Sequence, residues 1–84
     1  MPFVYILRCR DGSLYTGAAK DVARRLEQHR AGSASKYTRS RRPVSIAWSR
    51  RVRTWRRALQ LERLIKRLTR AEKLALVAGD PIRY

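Results

Sequence analysis

The stretches Val4-Tyr5-Ile6-Leu7 and Leu14-Tyr15-Thr16-Gly17, joined through an Asp11-Gly12 turn signal, decide how this chain folds. Phe3 to Cys9 and Leu14 to Thr16 are apolar, aromatic and β-branched, and Arg10-Asp11-Gly12-Ser13 between them reads as the short loop of a β-hairpin. Tyr5 and Tyr15 then sit on neighbouring strands. Downstream, Asp21 is a good N-cap, Val22 and Leu26 begin an apolar stripe, and Gly32 is suited to a left-handed helix end, which predicts a first helix from Val22 to Ala31. Val44, Ile46 and Trp48 alternate with Ser45, Ala47 and Ser49, the period of a strand with one face on a core. From Thr54 onward, Ala58, Leu61, Leu64, Ile65 and Leu68 repeat at helical spacing, and Thr69-Arg70-Ala71-Glu72 is a capping box that opens a last helix ending near Gly79. The order hairpin, helix, strand, helix, helix predicts an α+β fold with a small three-stranded antiparallel sheet flanked by helices.

With 84 residues the chain reads as one domain, 1–84, burying about 60% of its unfolded surface and leaving no room for a second module. Its 21 basic and 6 acidic residues give a net charge of +15, too lopsided for an ordinary surface, and point to a polyanionic partner, nucleic acid before membrane. Between Glu27 and Glu62 there is no acidic residue, while arginines and lysines recur throughout. Phosphate relieves such repulsion most simply; a solvated face or an assembly surface is the other reading of the same charge run. The single cysteine, Cys9, has no partner for an internal disulfide and ends an apolar strand, as expected of a small core residue in a reducing cytoplasm. Phe3 to Leu7 runs directly into Arg8 and Arg10, too short an apolar stretch for a signal peptide or membrane span. The expectation is a cytoplasmic protein with no membrane partner and a monomer as the default state.

Several residues have the chemistry of a phosphodiesterase, each with a plainer reading beside it. At roughly 100° per residue, Arg25 and His29 fall on the side of Val22 and Leu26, whereas Arg24 faces water. Arg25 is then either a snorkelling arginine or a phosphate ligand, and His29 either a hydrogen-bonded histidine at the core edge or a catalytic group. Among the carboxylates, Asp11 lies in the turn, Asp21 and Glu72 belong to caps, Glu27 is on an exposed side and Asp80 follows the last helix. Glu62 remains, flanking the apolar stripe of the long helix, either as an i,i+4 partner of Lys66 or as the one carboxylate placed to hold a metal. A lone carboxylate argues against a two-metal centre but suits one Mg²⁺ kept mostly by waters and substrate oxygens. Tyr5 and Tyr15 are sheet packing or catalytic phenols. A phenol is a poor base at its ordinary pKa of about 10, but dense positive charge favours phenolate and would lower it. Gly17 reads as a position needing a positive φ or admitting substrate, or as an ordinary turn glycine. The segment from Gly32 to Pro43 is small, polar and basic with one aromatic, which suits a mobile loop that grips a nucleic-acid backbone through Lys36, Arg39, Arg41 and Arg42 and stacks a base on Tyr37. Its plainer reading is a surface loop with a packed tyrosine.

Taken together, Val4-Tyr5-Ile6, Tyr15-Thr16-Gly17, Asp21 through His29, Lys36-Tyr37-Thr38 with Arg41-Arg42-Pro43, Leu61-Glu62 through Lys66, and Arg70 through Lys73 resemble the GIY-YIG endonuclease superfamily, in particular its small stand-alone, UPF0213-like members. The likeness spans nearly the whole chain. It implies that Tyr5 is the general base, that Tyr15 orients the attacking water or the phosphate, and that Arg25 binds the scissile phosphate and neutralises its transition state. It further implies that His29 orients a tyrosine or assists proton transfer, that Glu62 holds one Mg²⁺ or Mn²⁺ ion, and that Tyr37 lies near the active site. The pattern departs from the family at Phe3, where the superfamily's first motif opens with glycine, at Ala18-Ala19, and at Arg50 and Trp55, where the small members often carry acidic or small residues.

The sequence therefore reads as a metal-dependent endonuclease that hydrolyses nucleic acid by water attack, with DNA favoured over RNA by the resemblance alone. The alternatives are a non-catalytic nucleic-acid-binding module of the same fold and a small basic component of an RNA-protein assembly.

Overall fold

A computed structural model describes residues 1–80, so the last four residues of the expected 1–84 domain lie outside the described part. The hairpin forms from β1 (Phe3–Arg8) and β2 (Leu14–Ala19). Its loop is closed by the Cys9 N–H donating to Ser13 O and the Gly12 N–H donating to Cys9 O, both at 2.9 Å, with Gly12 at a φ of 83°. Asp11 Oδ1 accepts from the Ser13 N–H and hydroxyl, a local bond that keeps the turn compact. There follow α1 (Val22–Ala31), a single helical turn α2 (Lys36–Arg39), β3 (Ser45–Arg51), α3 (Trp55–Lys66) and α4 (Arg70–Val77). The sheet is antiparallel with order β2-β1-β3.

β1 is the central strand and has residues packed on both of its faces, which is why it reads as an unbroken apolar run. Val4 and Ile6 pack with Ala58 and Ile65 of α3 and Leu76 of α4. On the other face Tyr5 and Leu7 pack with Cys9, Ala19 and Val44, joined by Val22 and Leu26 of α1. The helices therefore flank the sheet on two sides, in the α+β arrangement expected. Local chemistry fixes their ends: Asp21, Thr54 and Thr69 accept from the backbone N–H three residues on, Gly32 terminates α1 at a φ of 84°, and the Thr69-Glu72 capping box is complete.

Two expectations are corrected. The alternation Val44, Ile46, Trp48 does not keep one face on one core, because a bulge intervenes: Ile6 pairs with Trp48 but Leu7 pairs with Ile46, leaving Ala47 as the extra residue. Trp48 joins the Val4 and Ile6 side, while Ile46 is 36% exposed. The segment from 32 to 43, expected as a mobile grip loop, instead contains α2, capped by Ser35 Oγ accepting from the Tyr37 N–H. It is tied down by the Arg10 N–H donating to Arg41 O at 2.9 Å and by an Arg41–Asp11 ion pair at 3.1 Å. Among the described residues no helix is long and apolar enough to cross a membrane.

Candidate active site

The site is organised by a contact between two strands. Tyr5 lies opposite Gly17, and its ring crosses that residue so closely that a Cβ there would stand 2.5 Å from Tyr5 Oη and 2.6 Å from Cζ. Gly17 is not among the positive-φ glycines, which are Gly12, Gly32 and Gly79. Its lack of a side chain is needed for the tyrosine, and the expectation of a positive φ or of an open approach for substrate is corrected: Gly17 is buried beneath the ring.

Laid over Gly17, the Tyr5 hydroxyl reaches His29 Nε2 at 3.0 Å, and the opposite ring nitrogen, Nδ1, lies 2.8 Å from Thr38 Oγ1. The Thr38 hydroxyl in turn donates to Ser35 O at 3.4 Å. With its single proton so used, Thr38 accepts from His29 Nδ1–H, and Nε2 is left with a lone pair for the Tyr5 proton. His29 and Thr38 are essentially inaccessible, at 1% and 0% exposure. Burial, reinforced by the Arg25 charge, holds the His29 pKa below its ordinary value and the ring neutral. Thr38 was not singled out from the sequence; its one signal is its place in the Lys36-Tyr37-Thr38 motif.

Arg25, one turn before His29 on α1, is half-buried, whereas Arg24 is exposed. Its charge acts on both Tyr5 and His29. Tyr15 meets His29 edge-on, with ring centroids 5.3 Å apart, and stacks on Tyr37 at 5.7 Å. The structure thus brings Tyr5, Tyr15, Arg25, His29 and Tyr37 together. Glu62 approaches the same place from α3, near enough for its charge to act on Tyr5, with its side chain 17% exposed and Lys66 Nζ at 3.5 Å. Among the described residues there is no cluster of three metal-ligating side chains. The donor set suits a single hard cation held by one carboxylate, with waters and substrate oxygens completing its shell, and Lys66 is exposed enough to swing aside.

One electrostatic expectation is reversed. Burial, with the Tyr15 and Glu62 neighbours adding to it, pushes the Tyr5 phenol well above its ordinary range, and the opposing effect of Arg25 is smaller. The +15 charge does not lower it because most of those side chains are solvated and screened, while desolvation acts directly on the buried oxygen.

The basic residues divide into spent and free. Arg41 donates through Nε to Asp11 Oδ2 at 3.1 Å and through a terminal nitrogen to Tyr37 O at 2.9 Å, and its guanidinium lies 3.8 Å from the Tyr37 ring centroid. Tyr15 stacks on the same ring, so Arg41 is engaged within the protein rather than free for a phosphate, while Tyr37, 38% exposed, lies beside the candidate site. Arg42 donates to Arg39 O and Arg30 O and packs onto Gly32. It nevertheless lines, with Arg10, Arg30 and Arg39, a cleft of about 600 Å³. Arg10 and Arg30 were not anticipated there, since only the folded hairpin loop and the end of α1 bring them beside α2. Lys36 is exposed on α2.

Comparison with known proteins identifies the family. A family model of the GIY-YIG catalytic domain matches residues 1–75. This chain belongs to the GIY-YIG family. Relatives include UPF0213 proteins of Staphylococcus aureus strains Mu3 and N315, each 51% identical over 75 residues, covering 89% of this chain and 92% of theirs. The solution NMR structure of the UPF0213 protein BH0048 from Bacillus halodurans is similar with a TM-score of 0.60 and 40% identity, over 93% of this chain and 84% of that one. GIY-YIG nucleases act on nucleic acid and typically use divalent metals, while the UPF0213 names specify no activity, metal or substrate.

Proposed function

We propose that this GIY-YIG protein is a metal-dependent endonuclease that hydrolyses phosphodiester bonds, acting as a cytoplasmic monomer on DNA in preference to RNA. The observation that carries the reading is the hydrogen-bonded chain Tyr5–His29–Thr38 with Arg25 beside it. Tyr5 takes a proton from the attacking water while passing its own to the neutral Nε2 of His29, so no free phenolate accumulates at a buried oxygen. The water oxygen bonds to phosphorus, the bond to the leaving sugar oxygen breaks, and that oxygen takes a proton from solvent. Thr38, fixed through Ser35, holds His29 in the tautomer that can accept. Arg25 offers a planar fork of donors to the phosphoryl oxygens as their charge grows, and Tyr15 orients the phosphate or the water. Glu62 would hold one Mg²⁺ or Mn²⁺ ion, which when bound supplies charge neutralisation at the phosphate. Lys36 and the cleft of Arg10, Arg30, Arg39 and Arg42 would carry flanking phosphates.

One observation favours a second reading, a non-catalytic nucleic-acid-binding module: burial keeps the Tyr5 phenol protonated. Incubating the pure protein with branched, flap, single-stranded and duplex DNA and with RNA, with and without Mg²⁺ or Mn²⁺, separates the two. Metal-dependent cleavage, lost in Glu62→Ala with binding retained, supports the nuclease; binding with no cleavage under any metal supports the module.

A further inference from the structure

Trp55 is the first residue of α3, directly after the N-cap Thr54, and is 40% exposed. A large aromatic side chain is thus held at a capped helix start with much of its surface in water. It is not isolated there. Trp55 lines a cleft of about 340 Å³ together with Lys20, Asp21, Arg24, Arg25 and Gln28. The Lys20 ammonium lies 5.8 Å from the Trp55 ring centroid. Three cations face one carboxylate, and that carboxylate is occupied as the α1 cap, accepting from the Arg24 N–H at 3.0 Å. Gln28 is the one uncharged polar side chain in the lining, and its amide can both donate to and accept from a base edge.

Arg25 joins this cleft to the candidate active site, since the same guanidinium lines the cleft and acts electrostatically on Tyr5 and His29. A phosphate held by Arg25 would carry its attached nucleoside to one side or the other of that residue, and on the α3 side it meets an aromatic face among cations. This is the combination by which proteins hold single-stranded nucleic acid: cations track the backbone, and an aromatic plane stacks whichever base arrives. A base inside a duplex is already stacked on both faces and cannot present one.

We propose that Trp55 is a stacking platform for an unpaired nucleobase next to the phosphate bound by Arg25, so that the preferred substrate is single-stranded or unpaired at the cleaved step. The inference rests on the nucleic-acid reading above and adds to it the class of strand recognised. Gln28 contacts the edge of the stacked base, and Lys20 and Arg24 neutralise the phosphates on either side of it.

The test reads Trp55 directly. The chain has two tryptophans, so Trp48→Phe leaves Trp55 as the sole indole fluorophore. Without divalent metal, this variant is titrated with short oligothymidylate, with an abasic oligomer of the same backbone and with blunt duplex DNA, while anisotropy of labelled oligomers reports binding independently of the indole. Oligothymidylate should quench Trp55, whereas the abasic oligomer should bind without quenching it. In the otherwise unaltered chain, Trp55→Ala should weaken oligothymidylate binding roughly tenfold or more, leave abasic and duplex binding within about twofold, and keep the salt dependence unchanged because no charge is lost. Trp55→Phe should recover most of the affinity. Oligothymidylate that binds without quenching, or an equal loss on the abasic oligomer in Trp55→Ala, would overturn the stacking role while leaving the nucleic-acid reading intact. Failure of every oligomer to bind would remove that reading and this one together.

Discussion

Tyr5 and Gly17 form one unit: the tyrosine hydroxyl can stand 3.0 Å from His29 Nε2 because its cross-strand partner has no side chain. The glycine contributes space on which a hydrogen bond 24 residues long in sequence depends. A strand glycine ordinarily weakens a sheet, and here that cost is set against the placement of the phenol that is hydrogen-bonded to the imidazole.

Gly17→Ala should therefore displace the Tyr5 ring, since the new methyl would meet both Oη and Cζ inside any normal contact. The expected cost is about 1–3 kcal/mol of stability from overpacking, with cleavage falling far more than nucleic-acid binding. Denaturant unfolding and single-turnover cleavage measure the two effects. Unchanged stability and unchanged cleavage would mean that the ring does not lie over Gly17.

Thr38 gives a second handle on the same imidazole. Thr38→Val keeps the volume but removes the acceptor for His29 Nδ1–H, leaving a buried donor unpaired at a cost of about 1–3 kcal/mol. Thr38→Ser keeps the oxygen. Cleavage should drop in the valine variant through loss of the accepting tautomer and recover in the serine variant, and the His29 ring proton resonance should shift in valine alone. Equal cleavage in all three would make Thr38 a packing residue.

These examples mark the boundary of what the sequence makes legible. The hairpin and the long helices are readable because their signals are local: Asp11-Gly12 at the turn, Asp21 and Gly32 at the ends of α1, the Thr69-Glu72 box on α4. Arg25 is separable from Arg24 by helical period, which the unequal burial of the two bears out. The bulge at Ala47 is not readable, since the alternation of β3 runs straight through it and only pairing with β1 breaks it. Nor is the Thr38 contact, which forms when a one-turn helix docks on α1. Gly17 looks like a backbone requirement in one dimension and proves to be a steric one in three. The raised pKa of the Tyr5 phenol is not legible either, because net charge is visible in a composition while the burial that outweighs it is not.

The pH dependence of stability should follow from His29, the chain's single histidine. Its folded pKa lies below the ordinary 6.5, so in the unfolded chain the ring takes up its proton at a higher pH than in the native protein. Below about 6.5 the unfolded state binds more protons, and stability falls as pH drops from there through the lower folded pKa; above that range this group contributes no slope. Tm measured across this interval should decline toward acid, and His29→Gln should flatten the decline. A Tm that rises toward acid would show a histidine stabilised as the cation.

Arg24 and Arg25 serve as each other's control, because replacing either with alanine removes the same charge from the same helix. Long-range attraction of a polyanion should suffer similarly in both. Arg25→Ala should in addition lose about 3 kcal/mol or more of transition-state stabilisation, over a hundredfold in rate, in single-turnover cleavage at saturating protein. Arg24→Ala should lose affinity with little change in that rate. Equal cleavage rates in the two variants would sink the role given to Arg25.

In the proposed reaction the Tyr5 hydroxyl, bonded to His29, moves the proton of the attacking water. Tyr5→Phe keeps the ring over Gly17 and the packing with Leu7 and Val44 and deletes only the oxygen. The deciding measurement is the single-turnover cleavage rate of Tyr5→Phe against the unaltered protein, at saturating protein with Mg²⁺, on whichever substrate the unaltered protein cuts. The predicted result is a loss of roughly 10²–10⁴-fold, with the far-ultraviolet circular dichroism and the nucleic-acid affinity retained. Cleavage at the unaltered rate by a folded Tyr5→Phe protein would rule out Tyr5 as the group that moves this proton.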